Sequence, residues 1–171
     1  MRFIIFVLAA LFATLPAFCL DLTEAVIVLG QDADPAEETA ASELSLYLGK
    51  ITGREYPVTA APPEEGPAIY VGQTGLVKSL LPDFDWDSLK DDGTLMKSGK
   101  DRLILAGDRP RGSIYAVYGF LEDCLGCRFL TAHVETVPKR DRITVKDDLY
   151  KTYVPPFTYR EPFMCMNYIN Q

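Results

Sequence analysis

Residues 107–128 constrain the fold of this chain more than any other stretch. Ile114, Val117, Tyr118, Leu121 and Leu125 recur at the three- and four-residue steps that gather side chains on one side of an α-helix. Asp108 stands where an N-cap is expected, and Pro110 falls in the first turn, where a missing N–H costs little. Gly126 suits the C-terminal stop. A helix with one apolar stripe must bury it against a second layer, so this stretch demands a layered fold.

A second helix of the same kind lies upstream. Asp34-Pro35-Ala36-Glu37 combines an N-cap, a proline at the first helical position and an acid three residues past the cap. Ala40, Leu44, Tyr47, Leu48 and Ile51 form its stripe, with Lys50 in the last turn and Gly53 as the stop. Residues 25–30 and 68–72 are continuous apolar runs bounded by turn residues, the mark of buried strands. Residues 94–97 and 102–106 flank Ser98-Gly99-Lys100-Asp101 as a hairpin. Residues 56–59 suit an edge strand, because Pro57 is tolerated only there. Residues 74–81 predict a short helix stopped by Pro82, and Trp86 is expected to pin the acidic stretch 83–92 to the body. Strands at 127–130 and 142–145 are expected to complete the sheet. The element order predicts an α+β two-layer sandwich, a mixed β-sheet with two main helices on one face. Strands and helices do not alternate regularly, which argues against a doubly wound fold.

Residues 1–19 read as a secretory signal peptide: Arg2, an apolar run from Phe3 to Phe12, Pro16, and small residues at Ala17 and Cys19. The apolar run ends too early, before Asp21, for a membrane-spanning helix, so no stable span is expected after cleavage and the protein is expected to be exported, periplasmic or extracellular. The domain is expected over residues 22–150. Residues 151–171, with Pro155-Pro156 and an aromatic-rich continuation, read as a linker and the start of a further, truncated domain.

The formal net charge of −7, one unit more negative without Arg2, and the lack of any Lys/Arg run argue against a nucleic-acid partner. Gly30 is followed by Asp32, Asp34, Glu37 and Glu38 rather than by a glycine fingerprint, and these carboxylates would repel phosphate. Cys124 and Cys127 sit at a helix C-terminus, where the dipole disfavours a thiolate, and read as packing residues or an incidental disulfide. With Cys165 they make an odd number once Cys19 is removed. A zinc site would need more ligands than the lone His133 supplies, so neither metal nor cofactor is expected.

Glycoside hydrolysis needs two carboxylates facing each other across a sugar. Glu122 and Asp123 are neighbours on one helix and cannot do so, and Glu135 and Glu161 have no evident partners in sequence. No catalytic residue is assigned in this chain. Arg109 and Arg111 stand at the positive end of the second helix, where a cation is unfavourable. They read either as anion contacts, for a uronic acid or a carboxylate of another domain, or as surface salt bridges to neighbours such as Asp108 and Glu122.

Ala40-Ala41-Ser42-Glu43-Leu44, Tyr47-Leu48, Ile51-Thr52-Gly53, Ile69-Tyr70-Val71-Gly72, Arg111-Gly112 with Tyr115-Ala116-Val117-Tyr118, and Leu125-Gly126-Cys127-Arg128 together resemble a known domain. It is the N-terminal domain of secreted bacterial proteins that carry an uncharacterised TIM-barrel-like region. That domain is similar in turn to the N-terminal domain of α-glucuronidases and to the second domain of β-hexosaminidases. The resemblance spans residues 26–163 and implies an accessory domain packed on a C-terminal (β/α)8 barrel of the same chain, which would hold the catalytic carboxylates. Residues 155–160 look like the entry to the first barrel strand. Arg160 matches an arginine that holds sugar hydroxyls in β-hexosaminidases, although Glu161 follows where those enzymes tend to have glycine. The resemblance thus implies a glycoside-hydrolase relative acting on polysaccharide or oligosaccharide, with Arg160 and Arg111 as substrate-binding candidates. The competing reading is a stand-alone carbohydrate-binding or protein-interaction module, with Tyr56, Tyr70 and Trp86 as its flat aromatic platform.

Overall fold

The computed structural model describes residues 19–158. Most of the expected signal segment, and Arg160, Glu161 and Cys165, lie outside the described residues.

A six-stranded mixed sheet forms the centre. Its parallel part holds β2 (Val26–Leu29), β3 (Val58–Thr59), β4 (Ala68–Val71) and β6 (Arg102–Gly107). β5 (Thr94–Ser98) runs antiparallel to β6, and β10 (Tyr150–Tyr153) antiparallel to β5. The spatial order is β10-β5-β6-β4-β2-β3, so the strand carrying Pro57 at its threshold does lie at an edge. Ile27, Ile69 and Leu103 align across three strands and enter one core. Their neighbours Val28, Tyr70 and Ile104 alternate to the other face and enter a second core. Burial on both faces explains why β2, β4 and β6 read as unbroken apolar runs.

Helices α1 (Pro35–Thr52) and α3 (Gly112–Asp123) cover the first face, giving the expected two-layer α+β arrangement. The second face carries a thinner cover: α2 (Gly75–Leu80), capped by the Thr74 hydroxyl, and a 3-10 turn at Trp86–Leu89. Leu89, fully buried, anchors the acidic loop, while Trp86 is only half-buried, edge-on to Phe84 at 4.9 Å.

α1 follows the sequence signals closely. Asp34 accepts from the Glu37 N–H at 2.9 Å, Glu37 accepts from the Asp34 N–H at 3.0 Å, and Gly53 closes the helix with φ 74°. α3 differs at its start. Asp108 does not cap it with its side chain. Its carbonyl accepts the Gly112 N–H at 2.7 Å, residues 108–111 form a turn containing a cis Arg109–Pro110 peptide, and Arg111 takes the cap position without a side-chain bond to the helix's first N–H groups. The buried stripe is also broader than expected, because α3 packs on both α1 and the sheet: Ser113, Ala116, Val117, Phe120 and Leu121 are buried, while Ile114 and Tyr118 are only partly so. The Cys127 N–H reaches the Leu121 carbonyl at 2.9 Å as the chain turns at Gly126.

The strands expected to complete the sheet do not join it. β7 (Arg128–Thr131) pairs with β8 (Val134–Thr136) as a separate hairpin, and β9 (Thr144–Lys146) pairs with β1 (Cys19–Asp21). Each has a single inward side, whereas the central strands are buried on both. The place they leave beside β5 is filled by β10, so the sheet runs three residues past the boundary read from sequence.

Candidate functional site

Two groups of polar side chains stand out. The first lies where β2, β4 and β6 end. Glu37, in the first turn of α1, is completely buried. Its Oε1 accepts the Gln73 N–H at 2.5 Å and Arg109 Nε at 3.3 Å, and its Oε2 accepts Arg109 Nη2 at 2.8 Å. Arg109 also donates to the Asp32 carbonyl at 2.9 Å and lies 3.6 Å from Asp34 Oδ2. The Glu37 hydrogen bond pushes the guanidinium further above its usual range. Asp32 accepts the Gly75 N–H at 2.8 Å. The acidic stretch that argued against phosphate is therefore the seat of Arg109, and the anion Arg109 holds belongs to its own domain.

Arg111 behaves likewise. Its Nε and Nη2 make a two-pronged contact with Asp92, at 3.2 and 2.7 Å, and the carboxylate raises the arginine pKa. The partner is Asp92 on the loop before β5, not Asp108 or Glu122. The helix-end cost of two arginines is thus offset by carboxylates brought from distant loops. Sequence spacing carried no signal of these pairings. The capping box already accounted for Glu37 and hid its second role.

The second group lines a cleft of 550 Å³ between α1, α3 and the β7–β8 hairpin. Tyr47, Tyr118 and Phe129 meet edge-on with ring centroids 4.9 to 6.3 Å apart. Glu122, His133 and Glu135, taken separately in sequence, all face this space. Glu135, without an evident partner in sequence, accepts from the Tyr47 hydroxyl at 2.6 Å and from Lys50 Nζ at 2.7 Å. Those donors lower its pKa, the Lys50 bond most. A glycosidic general acid needs the opposite, a carboxyl kept protonated by burial. The phenols are shifted the other way: Glu135 raises that of Tyr47, and burial with the Glu43 bond at 2.9 Å pushes Tyr118 up to about 12. The cleft is a fastening between hairpin and helices.

Cys124 and Cys127 are free thiols, half-buried and buried, and burial pushes both up in pKa, which suits packing residues. His133 is exposed. Among the described residues there is no group of three His, Cys, Asp or Glu side chains placed to hold a metal, and no helix long and apolar enough to cross a membrane. The aromatic platform does not exist. Tyr56 is buried in the helix-side core and Tyr70 in the opposite one, so the sheet lies between them.

The domain is a two-layer α+β sandwich in which the buried carboxylates Glu37 and Asp92 are paired with its own arginines. The family model described as the glycosyl hydrolase family 67 N-terminus matches residues 18–120, more than half of the chain. The chain belongs to that family, which bears out the resemblance to the α-glucuronidase N-terminal domain. Among solved structures it is similar to a family GH115 4-O-methyl-α-glucuronidase, BtGH115A, described as specific for decorated arabinogalactans. The TM-score is 0.59 at 16% identity, over 83% of this chain and 19% of that one. At that identity the likeness is one of fold. No curated protein matches the sequence.

Proposed function

We propose that this chain is the non-catalytic N-terminal part of an exported glycoside hydrolase of the α-glucuronidase kind, acting on polysaccharide through a C-terminal barrel of the same polypeptide. The observation that carries the reading is the fate of the carboxylates in a chain of this family: Glu37, Asp92 and Glu135 are each committed to an internal cation. The residues that would do the chemistry then lie in the following domain, and this one supports it. Arg160 remains the candidate for a sugar contact. Arg111 is the lesser one, since two of its nitrogens already serve Asp92. Export by a cleaved signal fits the apolar start, and cleavage after Cys19 leaves the pairs Leu20–Val145 and Asp21–Thr144 in place.

The test is release of uronic acid from glucuronoxylan oligosaccharides by the natural gene product and by the 171-residue chain alone. Release by the former and none by the latter is expected. Release by this chain alone would overturn the accessory reading, and none by either would overturn the α-glucuronidase assignment.

A further inference from the structure

α3 has one side that nothing in the described domain covers. Its inward residues face α1 and the sheet, Tyr118 turns toward α1 and the hairpin, where it bonds Glu43 and packs on Tyr47 and Phe129, and Tyr115 looks outward. Walls rise on both flanks. On one, Val134 of the hairpin joins Tyr118 and Glu122 in lining the cleft. On the other runs β10, whose Lys151 bonds Asp123 of α3 at 2.6 Å. That bond puts Lys151, and Tyr153 two residues on, on the helix side of the sheet. Tyr153 pairs with Thr94, Thr94 with Gly107, and Gly107 abuts Gly112 in the first turn of α3. Tyr153 therefore stands level with the end of α3 that carries Tyr115. Tyr115, Val134 and Tyr153 are exposed, from 44% at Tyr115 to 54% at Tyr153.

Single exposed apolar residues need no explanation, but a set gathered on one face does. We propose that this face is the seat of the domain that follows in the same polypeptide. The proposal rests on the accessory-domain reading and adds the surface to it. Three observations select this occupant. The similar α-glucuronidase is matched over only 19% of its length, so this fold is one part of a larger chain there. The backbone leaves the sheet from β10, at the border of this very face, through exposed Val154 and Phe157. A following domain is thus tethered beside it at high effective concentration. Finally, the face can be covered without stranding most of its charge, because Asp123 is paired with Lys151 and Glu135 with Lys50. Glu122 is left for a basic or N–H donor on the incoming surface.

The natural gene product provides the test. Its intact mass comes first. A product no heavier than this 19.0 kDa chain overturns the accessory-domain reading and the docking face with it. In a heavier product, hydroxyl-radical labelling compares Tyr115 and Tyr153 with Tyr150, which is 58% exposed on the opposite side of the sheet. Labelling of Tyr115 and Tyr153 about tenfold or more below Tyr150 is expected for side chains sealed in an interface core. Labelling at the Tyr150 rate overturns the docking face and leaves the accessory-domain reading standing.

Discussion

A fully buried carboxylate is stable only where donors surround it, and Glu37 has four: two from Arg109 and the N–H groups of Asp34 and Gln73. Removing Arg109 leaves the charge buried with backbone donors alone. Arg109→Ala is expected to cost about 2–3 kcal/mol, read as a lower urea midpoint at unchanged slope. Arg111→Ala, at a pair whose arginine is largely exposed, should cost clearly less in the same measurement. A larger loss for Arg111 would contradict the ranking. Asp21 supplies a pH-dependent contribution. The Thr23 hydroxyl, then Arg142 and the Thr23 N–H, hold its carboxyl at about 2 against an ordinary 3.8. The folded state therefore binds its proton more weakly than the unfolded one, and the stabilisation is whole above the ordinary value and lost as pH falls toward 2. The stability gap between the wild type and Asp21→Asn should be flat at neutral pH and close over that acid window. A gap independent of pH would show that the Asp21 charge contributes nothing.

Among the elements, α1 was legible almost residue by residue, since its cap, stripe and stop are all local in sequence. Its stop isolates one physical effect. A Cβ on Gly53 would meet nothing within 4 Å, so only the left-handed backbone at φ 74° resists substitution. Gly53→Ala should lower stability by about 1 kcal/mol with the fold intact, as measured by urea unfolding. α3 was legible in its interior and misplaced at its start, because the turn at residues 108–111 is set by a backbone bond and by loops that sequence spacing does not bring together. The β7–β8 hairpin is held by Tyr47 and Lys50 grasping Glu135 from another element. Tyr47→Phe should speed amide exchange in residues 128–136 while leaving α1 unchanged. Equal exchange in both variants would deny the phenol that role.

At the scale of the whole molecule, apolar runs specify β2, β4 and β6 because both their faces are buried, and with the two helix stripes they gave away the two-layer plan. The outer strands were not legible in the same way. β10 is exposed along its length and joins by backbone bonds, the Lys151–Asp123 pair and the contact of Lys97 with the Tyr150 ring. Nothing in its side chains marks it as part of a sheet. A chain ending at residue 148 should melt about 5 °C or more below one ending at residue 157. Equal melting of both would show that β10 is a passive attachment. The candidate site was legible as to residue types and illegible as to pairing: Arg109, Arg111 and Glu135 were noticed, yet their partners lie 72, 19 and 85–88 residues away.

The late place of β10 in the chain has a consequence for biosynthesis. A ribosome delivers β5 and β6 long before Tyr150–Tyr153 emerges, so the nascent domain carries an open strand edge at β5 throughout that interval. An open edge is a template for chaperones and for aggregation alike, and it closes only when the last strand arrives. The final residues of the sheet thereby act as the clasp that ends the vulnerable phase of this domain's birth.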